Sequence, residues 1–192
     1  MSPYLIAGVF SGMAGLLVFL VIHHFWISPI WFIAPIGIVI AGLGGLAVGW
    51  SYAEIHASLP PRPWTALALF LLISLILAPS ILLAQLRAPL IDISAGTIPP
   101  DRVGRVGFHF VIELLLPAVI VGGLAGWFLG QSRQAVFATA LAGFVYALGP
   151  GHNIPFLGNT LATGKGLALL SAITLISVIV LVETTSWLAN SQ

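Results

Sequence analysis

Long apolar runs, separated by proline, glycine or charge, dominate this chain of 192 residues. A membrane span needs about 20 mostly apolar residues. Runs of that order cover residues 4–27, 31–56, 64–86, 106–130 and 166–188, with a shorter one at 134–149. Only six Lys/Arg and five Asp/Glu residues accompany them, 6% of the chain, and the mean hydropathy is +1.14. A water-soluble domain carries about 25% charged residues because its surface faces water. Lipid asks for no charge, only that every backbone polar group be satisfied within the protein. The sequence therefore predicts an all-α integral membrane protein, a bundle of about six transmembrane helices forming one domain over residues 1–192.

The remaining composition narrows the partners. A net charge of +1 gives no electrostatic basis for binding nucleic acid. The expected partner is the lipid bilayer, with a second copy of the chain or another membrane subunit as further candidates. A multi-pass place in a bacterial or archaeal cell membrane follows. Cysteine is absent, which removes disulfides and thiolate metal sites. No basic region precedes Tyr4 and the first apolar run exceeds a signal-peptide core, so the first helix is expected to insert uncleaved.

Two connections differ in kind. Residues 87–105 hold five charges with Pro and Gly and read as the main aqueous loop. Residues 149–164 are rich in Gly and Pro and carry no Asp, Glu, Lys or Arg. They read as a surface loop, with a re-entrant dip as the alternative, since irregular backbone is tolerated at membrane depth only inside protein or along a cavity. Small residues recur at helix-packing spacing: Gly8, Gly12 and Gly15; Gly37, Gly42, Gly45 and Gly49; Gly122, Gly126 and Gly130. Such spacing lets helix backbones approach closely in lipid. A three-plus-three repeat of the transporter kind is too weak in the sequence to claim between residues 1–88 and 106–189.

Six alternating spans put both termini on one face, here the terminal face, with Arg62 and Arg133. The opposite face carries Arg87, Arg102, Arg105 and Lys165. Positive residues favour the cytoplasm, which orients residues 87–105 inward.

Ionisable groups within spans are costly and therefore mark functional candidates. Alternation brings His23 and His24, His109, Glu113, His152 and Asn153 to the Arg87 face from three separate parts of the chain. His109 and Glu113 are four apart and share a helix side. Pro117, four further on, cannot donate to the carbonyl of residue 113 and bends the helix there. Imidazoles, a carboxylate and a freed carbonyl suit a divalent transition metal, and the expected metal set is His23, His24, His109, Glu113, His152 and Asn153. His23 and His24 lie about 100° apart, so only one faces inward. The competing account of each boundary histidine is an interfacial hydrogen bond, and of Glu113 an ion pair with a neighbouring Arg. Glu54, His56 and Glu183 lie near the terminal face, where pairing with Arg62 and Arg133 is the simpler account. Trp26, Trp31, Trp50, Trp64, Trp127 and Trp187 fall mostly near span ends and read as interfacial belts.

No serine elbow, phosphate loop or HExxH occurs, and no clear general base accompanies the histidines, which weighs against an enzyme. The function expected is a permease, or permease subunit, for a divalent transition-metal cation. An electron-transfer subunit holding haem b between His24 and His109 is the first alternative. A non-catalytic assembly partner with structural histidines is the second.

Overall fold

The computed structural model describes residues 2–26, 34–87, 115–148 and 164–191. Six α-helices form, in the places the apolar runs predict: α1 (Pro3–Trp26), α2 (Ala34–Ile55), α3 (Thr65–Arg87), α4 (Leu116–Gly130), α5 (Arg133–Leu148) and α6 (Gly164–Asn190). One 3-10 turn, His56–Ser58, extends α2, and no strand occurs among the described residues. Four of the helices, α1, α2, α3 and α6, are long and apolar enough to cross a membrane. The described parts of α4 and α5 are shorter, at 15 and 16 residues. At 1.5 Å per residue they reach about 22–24 Å, less than the ~30 Å of bilayer hydrocarbon. The expectation of six spans is thus met in the number of helices, and in four of them by length. The sequence run at 106–114 that would lengthen α4 lies outside the described residues.

The helices close into a ring, in the order α1, α2, α5, α4, α3, α6 and back to α1. Inside it α2 also touches α4, and α3 touches α5. Contacts across the terminal face fix the alternation. Ser58 donates to the carbonyl of Leu129 at 2.5 Å, tying the end of α2 to the end of α4. Arg62, just before α3, donates to the carbonyl of Val182 in α6 at 3.0 Å. Tyr4, at the start of α1, meets His56 at the end of α2.

Polarity is distributed in reverse of a water-soluble bundle. Apart from the tyrosines Tyr52 and Tyr146, the buried polar side chains among the described residues are all Ser or Thr, and alanines such as Ala118, Ala135 and Ala138 fill the interior. Large apolar groups point outward: Leu17, Ile36, Leu75 and Phe137 are each 60–66% exposed. A core of small side chains trades hydrophobic drive for close backbone approach, which is what helix association in lipid requires.

That approach happens twice, in the same register. In the first hairpin Tyr4 faces Gly49, Gly8 faces Gly45 and Gly12 faces Ala41. In the second, Ala118 faces Gly143, Gly122 faces Thr139 and Gly126 faces Ala135. Each step of four along one helix is answered by four back along its partner, as antiparallel packing on one stripe demands. At each pairing a glycine meets a facing backbone carbonyl, at a spot where a methyl group would collide with it.

The ring order carries the same relation further. Exchanging α1, α2, α3 for α4, α5, α6 leaves every ring neighbour a neighbour: α1–α2 becomes α4–α5, α1–α6 becomes α4–α3, and α2–α5 and α3–α6 map onto themselves. Three helices per unit is an odd number, so the second unit runs opposite to the first. This ring adjacency is compatible with two three-helix units of opposite direction, but α3 packs chiefly against α4, α5 and α6 and α6 against α1 and α3, so the packed groups are α1, α2, α6 and α3, α4, α5.

Candidate functional site

Of the residues expected to bind metal, the structure describes His24. It lies near the Arg87-face end of α1, partly buried, with its ring edge-on to Phe25 at 5.0 Å between centroids. His23 lies in the same last turns of α1, and its side chain is outside the described set. His109, Glu113, His152 and Asn153 lie outside the described residues, and with them the haem pair of His24 with His109 and, but for Gly164, the 149–164 connection. Among the described residues no three His, Cys, Asp or Glu side chains come together as a metal site. Pro117 sits in the first turn of the described α4. Pro79 lies inside α3, which runs unbroken from Thr65 to Arg87.

On the terminal face the expected pairing is realised for one carboxylate in two. Arg62 meets Glu183 at 3.2 Å, both side chains well exposed. Glu54 instead accepts from the Trp50 indole at 3.2 Å, one turn back on its own helix. His56 joins a hydroxyl. Its Nδ1 lies 2.8 Å from the carbonyl of Ala53, which can only accept, so in the neutral ring Nδ1 carries the proton. Nε2 is then left to accept the Tyr4 hydroxyl at 3.0 Å. Tyr52 stands edge-on to Tyr4 at 5.6 Å and to His56 at 6.1 Å. The three rings form one aromatic cluster from α1 and α2.

Tyr52 also borders the feature the sequence did not signal. A cavity of about 30 Å³ lies inside the ring, walled by α2 and α6 from one packed group and α3 and α5 from the other. It thus sits where the two groups meet. Ser51, Tyr52, Thr139 and Tyr146 are among its lining residues but turn almost no polar surface to it, and it contains no charged side chain. The Thr139 hydroxyl donates to the carbonyl of Ala135 at 2.7 Å. Tyr146 shares a hydrogen bond with the Ser177 side chain. Ser177 is itself a joint: its carbonyl accepts from Ser11 of α1 at 2.8 Å, and Gly15 makes room for its hydroxyl. Beyond the cavity, Ser11, Ser177 and Tyr146 thus bind α1, α6 and α5 through polar contacts.

No signal in the sequence located the cavity. Its lining is spread over four helices, and aliphatic residues that line it look like those that fill a core. The serine and the two tyrosines were the available clue, being polar side chains in otherwise apolar spans.

No family model, no curated protein and no solved structure matches this chain.

Proposed function

We propose that the chain is a six-span integral membrane permease, in which the packed group α1, α2, α6 moves against the packed group α3, α4, α5 around the cavity between them. The observation that carries this reading is the cavity's place, between α2 and α6 of one packed group and α3 and α5 of the other. Transporters built from inverted repeats hold their cargo at the repeat interface near the bilayer midplane and expose it alternately to either side. The outward-facing apolar surface supports the membrane setting. So do Trp64, Trp127 and Trp187, exposed near the terminal-face ends of α3, α4 and α6 as an interfacial belt would have them. On this reading α5 crosses as a short span, accommodated by local thinning of the bilayer.

The proposed cargo is a divalent transition-metal cation. It is taken up at the Arg87 face by one of His23 and His24 with His109, Glu113, His152 and Asn153, since neutral imidazoles suit such metals and a carboxylate offsets their charge. The test is elemental analysis of the purified protein together with zinc, nickel, cobalt and copper uptake into proteoliposomes. Metal near stoichiometry, lost in the His109→Ala/Glu113→Ala double variant, is the expected result. Metal content unchanged by the double variant ends the cation reading.

A further inference from the structure

Two polar ties cross between the packed groups at the terminal face. Residues 60–64 form a turn seated on the start of α3. The Trp64 amide donates to the Pro61 carbonyl at 3.1 Å, and the Thr65 hydroxyl donates to that of Pro60 at 2.7 Å. Arg62 rides on this turn and so belongs with the group α3, α4, α5. Its guanidinium reaches α6 of the other group, donating to the Val182 carbonyl at 3.0 Å and meeting Glu183 at 3.2 Å. Ser58, on the turn that extends α2, donates to the Leu129 carbonyl of α4 at 2.5 Å. Each tie has one end in each group.

The Arg62 tie stands at the terminal end of the cavity. Leu181, one residue before the carbonyl acceptor, lines the cavity. So do Leu69, one turn into α3, and Tyr52 and Ile55 at the end of α2. Arg62 also lies within electrostatic reach of the Tyr52 phenol. Below the tie the walls are apolar, and a cation gains nothing there to offset its lost hydration. A cation loaded at the Arg87 face therefore reaches the terminal face only when the ends of α3 and α6 part.

We infer that Arg62 is the latch of a gate at the terminal face, fastening α3 to α6 over the cavity, with Ser58 as a second fastening between α2 and α4. The inference rests on the permease reading for what the gate passes, but not for whether the latch holds it shut. The bond to the Val182 carbonyl is the stronger part, because a helix backbone acceptor cannot swing away. Glu183 is well exposed, and its pairing with Arg62 is weak.

Cysteine access reads the gate, since the chain has no native cysteine. Ile55→Cys, at a cavity position only 1% exposed, is the reporter. Thr174→Cys, 2% exposed and deeper in α6, reports general loosening. Ser191→Cys, exposed just past α6, gives the full rate. Proteoliposomes would be treated with trimethylammonium-ethyl methanethiosulfonate on both sides of the membrane. With Arg62 in place, Ile55→Cys and Thr174→Cys should react far more slowly than Ser191→Cys. Arg62→Met keeps an unbranched stem and removes the donors. It should raise labelling of Ile55→Cys by about five- to tenfold, as loss of a half-exposed bond from a charged donor implies, and leave Thr174→Cys slow. Glu183→Gln should change the rate less than about twofold. The latch is overturned by no rise at Ile55→Cys in Arg62→Met, by an equal rise at Thr174→Cys, or by full-rate labelling of Ile55→Cys with Arg62 in place. A rise at Ile55→Cys in protein that binds no metal keeps the latch and removes the cation reading; bound metal without a rise does the reverse.

Discussion

Gly45 and Gly122 belong to equivalent pairings of the two hairpins (Gly8 with Gly45, Gly122 with Thr139), each against a carbonyl of the facing helix. No rotamer relieves a side chain there, because the obstacle is backbone. Gly45→Leu and Gly122→Leu should each force their hairpin apart and lower stability by about 2–3 kcal/mol or more, the upper range for overpacking. Thermal denaturation in detergent checks this. Gly42, whose added methyl would meet only the end of the Met13 side chain at 3.6 Å, should tolerate Ala with little change. Gln131 makes the opposite case. It caps α4 in the left-handed region at φ 51°, a conformation that costs a non-glycine residue about 1–2 kcal/mol. Gln131→Gly should therefore raise the melting midpoint, and an unchanged or lower midpoint would contradict it. The small-residue spacing was legible in the sequence. Which glycines face a backbone and which face a flexible side chain was not, since both kinds recur every three or four residues.

At the scale of elements, hydropathy placed five of the helices to within a few residues and the end of α4 at Gly130, because span length and charge breaks are properties of contiguous sequence. It also singled out α5 as short; its described part has 16 residues, and the tight turn before it sets where it starts. Gln131 and Ser132 alone join α4 to α5. The Ser132 hydroxyl accepts from the Ala135 amide at 2.9 Å, satisfying one of the donors that a helix start leaves open. Ser132→Ala should cost about 1 kcal/mol, read as a lower midpoint with the fold retained. The Arg62–Glu183 pair, joining the segment before α3 to α6, is largely exposed. Glu183→Gln should cost well under about 1 kcal/mol, and the Arg62 bond to the Val182 carbonyl, which the variant leaves in place, keeps the two elements together. Side-chain partners at this scale were only half legible: alternation put Glu54 and His56 on the correct face, but their partners were the neutral Trp50 and Tyr4.

For the whole molecule, the exchange relation in the ring escaped the sequence because it constrains little of it. Packing fixes the size of about three positions per helix, and Gly, Ala and Thr serve interchangeably there, while lipid accepts almost any large apolar residue elsewhere. The packing has a mechanical consequence for the permease proposed above. If the group α1, α2, α6 moves against the group α3, α4, α5, tying one to the other must stop transport, whereas tying helices within one group must not. Gly44 of α2 and Val145 of α5 lie across the interface. A Cβ placed on Gly44 falls 3.8 Å from that of Val145, and one on Gly123 falls 3.8 Å from that of Ala140 within the group α3, α4, α5. Both match the ~3.8 Å typical of disulfides, and no native cysteine competes. Oxidised Gly44→Cys/Val145→Cys should abolish cation flux in proteoliposomes and recover it on reduction. Oxidised Gly123→Cys/Ala140→Cys should carry flux throughout. Flux persisting through the inter-group bridge would mean that the groups do not move apart along α2 and α5, and the cavity would then serve a fixed pore or a static site.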